Sequence, residues 1–375
     1  MLAQARESPH TRSYFYVGGT YVRSPFNASE HIFVDQMYVE KLSPYPPAPP
    51  GHEKPAIILL HGSGQTGTVE RSFRITILRQ LLNLYQNFLN TPDGRPGWAS
   101  HFLSRKYTVY ITDQPHQGRS PVPPSAPLSF VSAELIEQIF TATKKSMMWP
   151  QAALHTQWPG TGLRGDRVFD RYYASVTALE VNGTLQQERM KRGLVALVED
   201  IPGEVVVVAH SQAGFWAWTL ADAVGRQKVR GVVALEPPGP PFEDKIINWS
   251  PPPVRVWGLT DLPLTYDPPI KDPIELKVAV SGTESKERSA CLLQTGGNVR
   301  KLKIRDVPVL VVTAEASFHA VYDHCTVEYL RQAGVAVDFV RLEEKGIRGN
   351  GHMFFLEKNS KDIWKVVQGW IEGLI

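Results

Sequence analysis

The chain of 375 residues carries only two cysteines, Cys291 and Cys325. Two thiols cannot build a disulfide framework, and neither stands at metal-ligand spacing, so both are expected to be buried and free. A surplus of one charge sign is missing too: 40 Lys and Arg against 37 Asp and Glu leave a net charge of +3. So small an excess, scattered along the chain, gives nucleic acid no footing. The one basic cluster, Lys301-Leu302-Lys303-Ile304-Arg305, reads as the lead-in to a strand. No apolar run approaches the roughly 20 residues of a membrane span. The opening Met1-Leu2-Ala3-Gln4-Ala5-Arg6-Glu7 lacks the apolar core of a signal peptide. Sequons at Asn27, Asn182 and Asn248 are therefore read as chance matches, and a cytoplasmic protein is expected. Internal repeats and low-complexity stretches are also absent. The 42% hydrophobic and 21% charged residues suit an ordinary globular domain.

Several short apolar runs are present instead. Tyr14–Val22 and Gln36–Leu42 read as opening antiparallel strands. After the proline-rich stretch Pro44–Pro50 come Ala56–Leu60, Thr108–Thr112, Val205–Ala209, Val229–Leu235, Val307–Thr313 and Val337–Leu342. Helical patterns lie between several of them, notably Leu185–Asp200 and Ile363–Ile375. Apolar strands alternating with helices predict an α/β fold, a mainly parallel sheet flanked by helices. Residues 121–178 contain no clear sheet strand, only one helix (Ser132–Lys145) and an irregular aromatic stretch (Trp149–Tyr173). They are expected to form a cap within a single domain spanning 1–375.

Chemically able residues recur at the carboxyl ends of these strands, where such sheets place their sites. Ser211 follows Val205–Ala209 in Ala209-His210-Ser211-Gln212-Ala213-Gly214, with a helical run beginning at Phe215. A serine on so tight a strand-to-helix turn is a nucleophile elbow, although Ala209 and Ala213 replace both glycines of G-x-S-x-G. An ordinary turn with a capping serine fits the same segment. A serine nucleophile needs a base, and the base needs an orienting acid. His352 supplies a base in Gly349-Asn350-Gly351-His352-Met353. The acid is Glu236, ending Val229–Leu235, or Glu315, after Val307–Thr313. His319 and Asp323 stand near Glu315. Ser211, Glu236 and His352 follow the order nucleophile, acid, base that recurs on such sheets. In His61-Gly62-Ser63-Gly64, glycines let N–H groups approach a developing oxyanion. The expected donors are Gln212 N–H and either Ser63 or Gly64 N–H. Asp113-Gln114-Pro115 is read as shaping its loop.

Longer strings carry a resemblance. They are Asn90–Trp98, Val109–Pro115 with Gly118-Arg119-Ser120, His155–Gly162, Ala209–Gly214, Trp257–Asp261 and Gly349–Met353 with Leu356–Asn359. From Tyr14 to the C-terminus the chain resembles the bacterial esterase 713-like family of α/β-hydrolases, which has many fungal members. The resemblance implies the α/β-hydrolase fold and ester hydrolysis. It also implies a glutamate acid after the strand that follows the nucleophile, which favours Glu236. The expected activity is serine hydrolysis of a small-molecule carboxylic ester, lactone or thioester through an acyl-enzyme. No metal or organic cofactor is expected, and neither is a nucleic-acid or membrane partner; the oligomeric state is left open. The alternatives are an acyltransferase or cyclising enzyme of secondary metabolism, and a non-catalytic binding protein on the same fold. His155, Trp158 and Trp216, with Trp149 or Trp218, are expected to line an apolar substrate pocket.

Against the family pattern, residues 69–86 form an 18-residue insertion between Gly64–Thr68 and Asn87–Asp93. It opens with valine and closes with glutamine, so its coding segment can begin GT and end AG, as an intron does. A retained intron is the expected origin. The competing reading is an amphipathic lid helix, with Ile77, Leu78, Leu81, Leu82 and Tyr85 on one face.

Overall fold

The computed structural model describes residues 7–66, 88–123, 126–247 and 252–375; the insertion at 69–86 lies outside them. Its main sheet has eight strands: β1 (His10–Arg23), β2 (His31–Pro44), β3 (Ala56–Leu60), β4 (Val109–Asp113), β5 (Val205–His210), β6 (Val229–Leu235), β7 (Val309–Thr313) and β8 (Val337–Arg341). They lie in the order β1-β2-β4-β3-β5-β6-β7-β8. β2 runs antiparallel to both β1 and β4, and the remaining pairs are parallel. The principal helices are α1 (Trp98–Ser104), α2 (Arg167–Tyr173), α3 (Gly183–Asp200), α4 (Ala213–Val224), α5 (Asp323–Gln332) and α6 (Ser360–Glu372). This is the mainly parallel, helix-flanked sheet read from the sequence.

β3, β4, β5 and β7 are buried at every residue. Successive side chains on a strand point to opposite faces, so each strand feeds two cores. Ile57, Leu59, Val206, Val208, Leu310 and Val312 pack on one face with α1 and α6. Ile58, Leu60, Val205, Val207, Val309 and Val311 pack on the other with α3, α4 and α5. Burial on both faces is why these strands read as unbroken apolar runs. α6 contributes Ile363, Trp364, Val367 and Ile371, buried at helical spacing. α3 begins at Asn182, whose side chain accepts from the Leu185 N–H and so caps the helix.

Between β4 and α3 the structure departs from expectation. Ser132–Lys145 is not one helix but α-helical at Ala133–Ile136, π-helical at Glu137–Thr141 and α-helical again at Thr143–Ser146. The wide turn lies where the chain crosses Gly162: the Thr141 hydroxyl donates to Gly162 O at 2.6 Å. Such turns gather at functional sites. The irregular stretch Trp149–Tyr173 closes in α2, started by Asp166, whose carboxylate accepts from the Val168 and Phe169 N–H groups.

The expectation of free thiols is overturned. Cys291 and Cys325 form a disulfide, with Cα atoms 5.1 Å apart and a sequence separation of 34. Cys291 opens the strand Cys291–Gln294, which pairs with Val278–Ser281, and Cys325 lies in α5. Spacing alone gave no signal for this pair, because the fold brings the two residues together. Replacing both cysteines by alanine is expected to cost about 2–4 kcal/mol, largely from freeing the loop in the unfolded chain. Urea unfolding of the variant and the parent checks this; coincident curves would show that the bridge contributes nothing.

Candidate active site

β5 ends at His210 and α4 begins at Ala213, so Ser211 and Gln212 make the whole turn. Ser211 has φ of +54°, a left-handed conformation that costs a non-glycine residue about 1 kcal/mol or more. The turn is held by Ser211 N–H donating to Leu235 O and Gly214 N–H donating to Ser211 O, both at 2.9 Å. A Cβ on Gly214 would lie 2.7 Å from Pro237 Cβ, and one on Gly62 would lie 2.9 Å from Ser211 Cβ. The glycines this elbow requires are therefore Gly62 and Gly214. Ala209 and Ala213 are fully buried without needing that freedom.

The neighbouring strand β6 ends likewise, with Glu236 at φ of +48°. Glu236 Oε2 lies 2.6 Å from His352 Nδ1 and accepts the Ser317 hydroxyl at 2.7 Å. Its Oε1 accepts the Ala314 N–H at 2.7 Å. A carboxylate on Nδ1 fixes the proton there and leaves Nε2 as the acceptor. Ser211 and His352 line one cavity. No hydrogen bond joins the Ser211 hydroxyl to His352 among the described residues, a looseness common before substrate binds. Burial drives His352 well below the ordinary imidazole pKa, and the His210 and His319 rings add to the effect. Burial also raises Glu236, reinforced by nearby Asp323, while the Ala314 N–H and Ser317 hydroxyl oppose the rise.

The other acid candidates are engaged elsewhere. Glu315 accepts from Arg348 Nη1 at 2.6 Å and from Gly349 N–H at 2.8 Å, fixing the start of the histidine loop. Asp323 lies 2.7 Å from His319 Nδ1 and accepts the Thr313 hydroxyl at 2.6 Å. His319 stacks on His352 with ring centroids 4.9 Å apart and planes 4° from parallel. Glu236, His319 and His352 bring potential metal-ligand atoms within 4.8 Å of one another. Parallel rings send their lone pairs side by side instead of toward one ion, and Glu236 already accepts from three donors. The group is therefore better suited to acid–base work than to holding a cation.

Ser63 and Gln212 face the same cavity as Ser211. Among the described residues, the N–H groups of Ser63, Gly64 and Gln212 donate to no protein acceptor, as an oxyanion site requires. Behind them runs a chain of glutamines that no local sequence pattern connects. Gln212 Nε2 donates to Gln186 Oε1 at 2.9 Å, Gln186 Nε2 to Gln114 Oε1 at 2.5 Å, and Gln114 Nε2 to Gly62 O at 3.4 Å. Asp113 does shape its loop, accepting from Arg119 N–H, Arg119 Nε and the Thr66 hydroxyl, each at 2.8 Å.

The cavity has a volume of about 380 Å³, with Phe140, Leu179, Phe215, Ile247, Val254 and Phe318 among its apolar lining. The expected His155, Trp158 and Trp216 do not line it. Trp216 is fully buried, edge-on to His61; one residue earlier on α4, Phe215 faces the cavity instead. Trp158 packs against Tyr172, and Trp149 against Phe318 with its indole N–H on Ala316 O. Trp218 is core.

His155 has a different place. Its Nε2 lies 2.6 Å from Glu357 Oε1 and its Nδ1 lies 2.9 Å from the Thr143 hydroxyl. Glu357 Oε2 accepts from Asn350 Nδ2 at 2.7 Å, and Gly351 N–H donates to both carboxylate oxygens at 3.1 Å. Arg95 donates to the carbonyls of Leu356, Glu357 and Lys358. His210 Nε2 lies 3.0 Å from His352 O, and burial lowers the His210 pKa to about 3. Three strings distant in sequence thus form one brace around the histidine loop.

Fold and geometry together define a class. The alpha/beta hydrolase family model matches residues 57–364, and the chain belongs to that family. It is 42% identical over 362 residues to a protein named probable secreted lipase phiG, from Fungal sp. (strain ATCC 74256), spanning 96% of this chain and 89% of that one. A solved structure described as a novel bacterial esterase has the same fold, with a TM-score of 0.61 at 20% identity, covering 99% of this chain and 98% of that one. The cytoplasmic expectation is corrected by the lipase, a relative named as secreted. The Cys291–Cys325 bond agrees, since such bridges persist in oxidising surroundings. The ground for dismissing the sequons falls with it; Asn27 and Asn182 are exposed, and Asn248 lies outside the described residues. No helix among the described residues is long and apolar enough to cross a membrane.

Glu357→Ala removes the shared acceptor of His155, Asn350 and Gly351. It is expected to cost about 3 kcal/mol, because buried donors lose their partner. Thermal or urea unfolding measures this; a loss under about 1 kcal/mol would show that the brace is idle.

Proposed function

We propose that this protein is a serine hydrolase that cleaves a small-molecule carboxylic ester, lactone or thioester outside the cytosol. The observation that carries the reading is the Glu236-backed imidazole of His352 facing the same cavity as the strained Ser211. Its relatives are named as a lipase and an esterase.

In this mechanism His352 Nε2 takes the proton from Ser211 Oγ as that oxygen attacks the carbonyl carbon. Glu236 holds the Nδ1–H tautomer and steadies the imidazolium that forms. Gln212 N–H, with Ser63 or Gly64 N–H, receives the oxyanion. The imidazolium returns its proton to the leaving oxygen or sulfur, and the acyl group stays on Ser211. Water then attacks the acyl-enzyme by the same route and releases the acid. Residues 121–178 act as the cap: they contribute Ser129 and Phe140 to the cavity wall, and Phe140 stacks on His352 at 5.2 Å. No step calls on a metal or organic cofactor.

A fluorophosphonate probe is expected to label Ser211, and Ser211→Ala to abolish labelling. The variant should also lose short p-nitrophenyl ester hydrolysis by about 10,000-fold or more; undiminished saturable turnover would contradict the mechanism. The pH profile of kcat/KM supplies a second test. The base must be neutral, and His352 is held well below its ordinary value. Activity should therefore remain on its plateau at pH of about 6.5 and fall only at lower pH. An acid limb centred at or above the ordinary imidazole value would contradict the burial argument.

A further inference from the structure

The mechanism uses one of the two carboxylate-backed imidazoles that the cavity contains. His319 is the other. Its Nδ1 is 2.7 Å from Asp323 Oδ1, and Asp323 Oδ2 is occupied by the Thr313 hydroxyl. The proton is thereby fixed on Nδ1, leaving Nε2 as a hydrogen-bond acceptor. His319 is only 3% exposed, yet it lines the cavity. Among the described residues its Nε2 has no protein partner. That acceptor is open to the cavity, where water or a bound substrate can supply the donor.

The position of the ring narrows what that donor is. His319 and His352 are parallel, 4.9 Å apart between centroids, and both are hung from the end of β7. Thr313 bonds Asp323, while Ala314 and Ser317 bond Glu236. One imidazole serves the proton of Ser211. The other faces a substrate held in the same cavity as Ser211.

We propose that His319, backed by Asp323, is a substrate-binding residue that selects esters bearing a hydroxyl beside the scissile carbonyl. The inference rests on the ester-hydrolase reading and specifies its substrate class. A site built to accept a hydrogen bond from a substrate hydroxyl rejects the analogue lacking it, because its own acceptor is then stranded.

The test uses full-length protein and ester pairs differing by one hydroxyl. Methyl 2-hydroxybutanoate and methyl 3-hydroxybutanoate are each compared with methyl butanoate, and 2-hydroxyethyl butanoate with propyl butanoate. The wild type is expected to favour at least one hydroxylated member by about 10-fold or more in kcat/KM. His319→Phe, which keeps a ring against His352, is expected to bring that ratio below about 2-fold. The ratio cancels any general loss of catalysis, and Ser211 labelling by the fluorophosphonate reports that the variant is folded. If His319→Phe does not label, His319→Leu takes the same test. No hydroxyl preference in the wild type, or a ratio unchanged in the variant, overturns the proposal. An equal fall for both members leaves the ratio unchanged and would assign His319 to positioning His352 instead. A wild type that neither labels nor hydrolyses any of these esters overturns the ester-hydrolase reading itself, and this inference with it.

Discussion

The 2.6 Å contact between Glu236 Oε2 and His352 Nδ1 joins a strand end to a loop that comes after the last strand of the sheet. Both partners are buried, so neither is solvated by bulk water, and their interaction is stronger than the same pair would make at a surface. That strength carries a condition. A buried carboxylate needs its remaining oxygen lone pairs satisfied, and the end of β7 supplies the Ala314 N–H and Ser317 hydroxyl for this. Three adjacent strand ends are thus committed to one cluster: β5 delivers Ser211, β6 delivers Glu236, and β7 provides the donors behind it. The left-handed backbones at Ser211 and Glu236 persist because the surrounding contacts hold them there.

The loop bearing His352 has no regular structure, so its precision comes from elsewhere. Glu357 gathers His155, Asn350 and Gly351, Arg95 holds three successive carbonyls, and Glu315 fixes Gly349. The turn bearing the proposed oxyanion donor Gln212 is braced separately, through Gln114 and Gln186. Catalytic groups on loops keep their geometry only when such supporting shells lock them. The proposed cap takes part in this support, since it provides both His155 and Phe140.

How much of the fold and site was legible in the sequence depended on whether the signal was local. β3, β5 and β7 were legible because burial on both faces leaves uninterrupted apolar runs. Ser211, Glu236 and His352 were nameable because each comes after a strand end, and the structure does gather them around one cavity. Several of the failures were long-range. Cys291 and Cys325 meet only because α5 packs beside the strand at Cys291–Gln294. Trp216 was expected in the pocket, but a one-residue step on a helix turns a side chain by about 100°, and the cavity receives Phe215. His155 and Trp158 were singled out in a conspicuous string whose role is structural support. The π turn at Glu137–Thr141 arose from an approach to Gly162 that periodicity does not encode. The cytoplasmic assignment leaned on an N-terminus without a signal-peptide core and on the lack of a membrane-length apolar run, and the relative named as a probable secreted lipase removed it.

The central claim is that Glu236, and not Glu315, orients the base. Steady-state hydrolysis of a short p-nitrophenyl ester by Glu236→Gln and Glu315→Gln tests it directly. Losing the orienting carboxylate of a triad typically lowers kcat by about 1,000- to 10,000-fold, and that is the result expected for Glu236→Gln. Glu315→Gln, which disturbs only the start of the loop, is expected to lose less than about 10-fold. The reverse order, or equal losses in folded variants, would contradict the account.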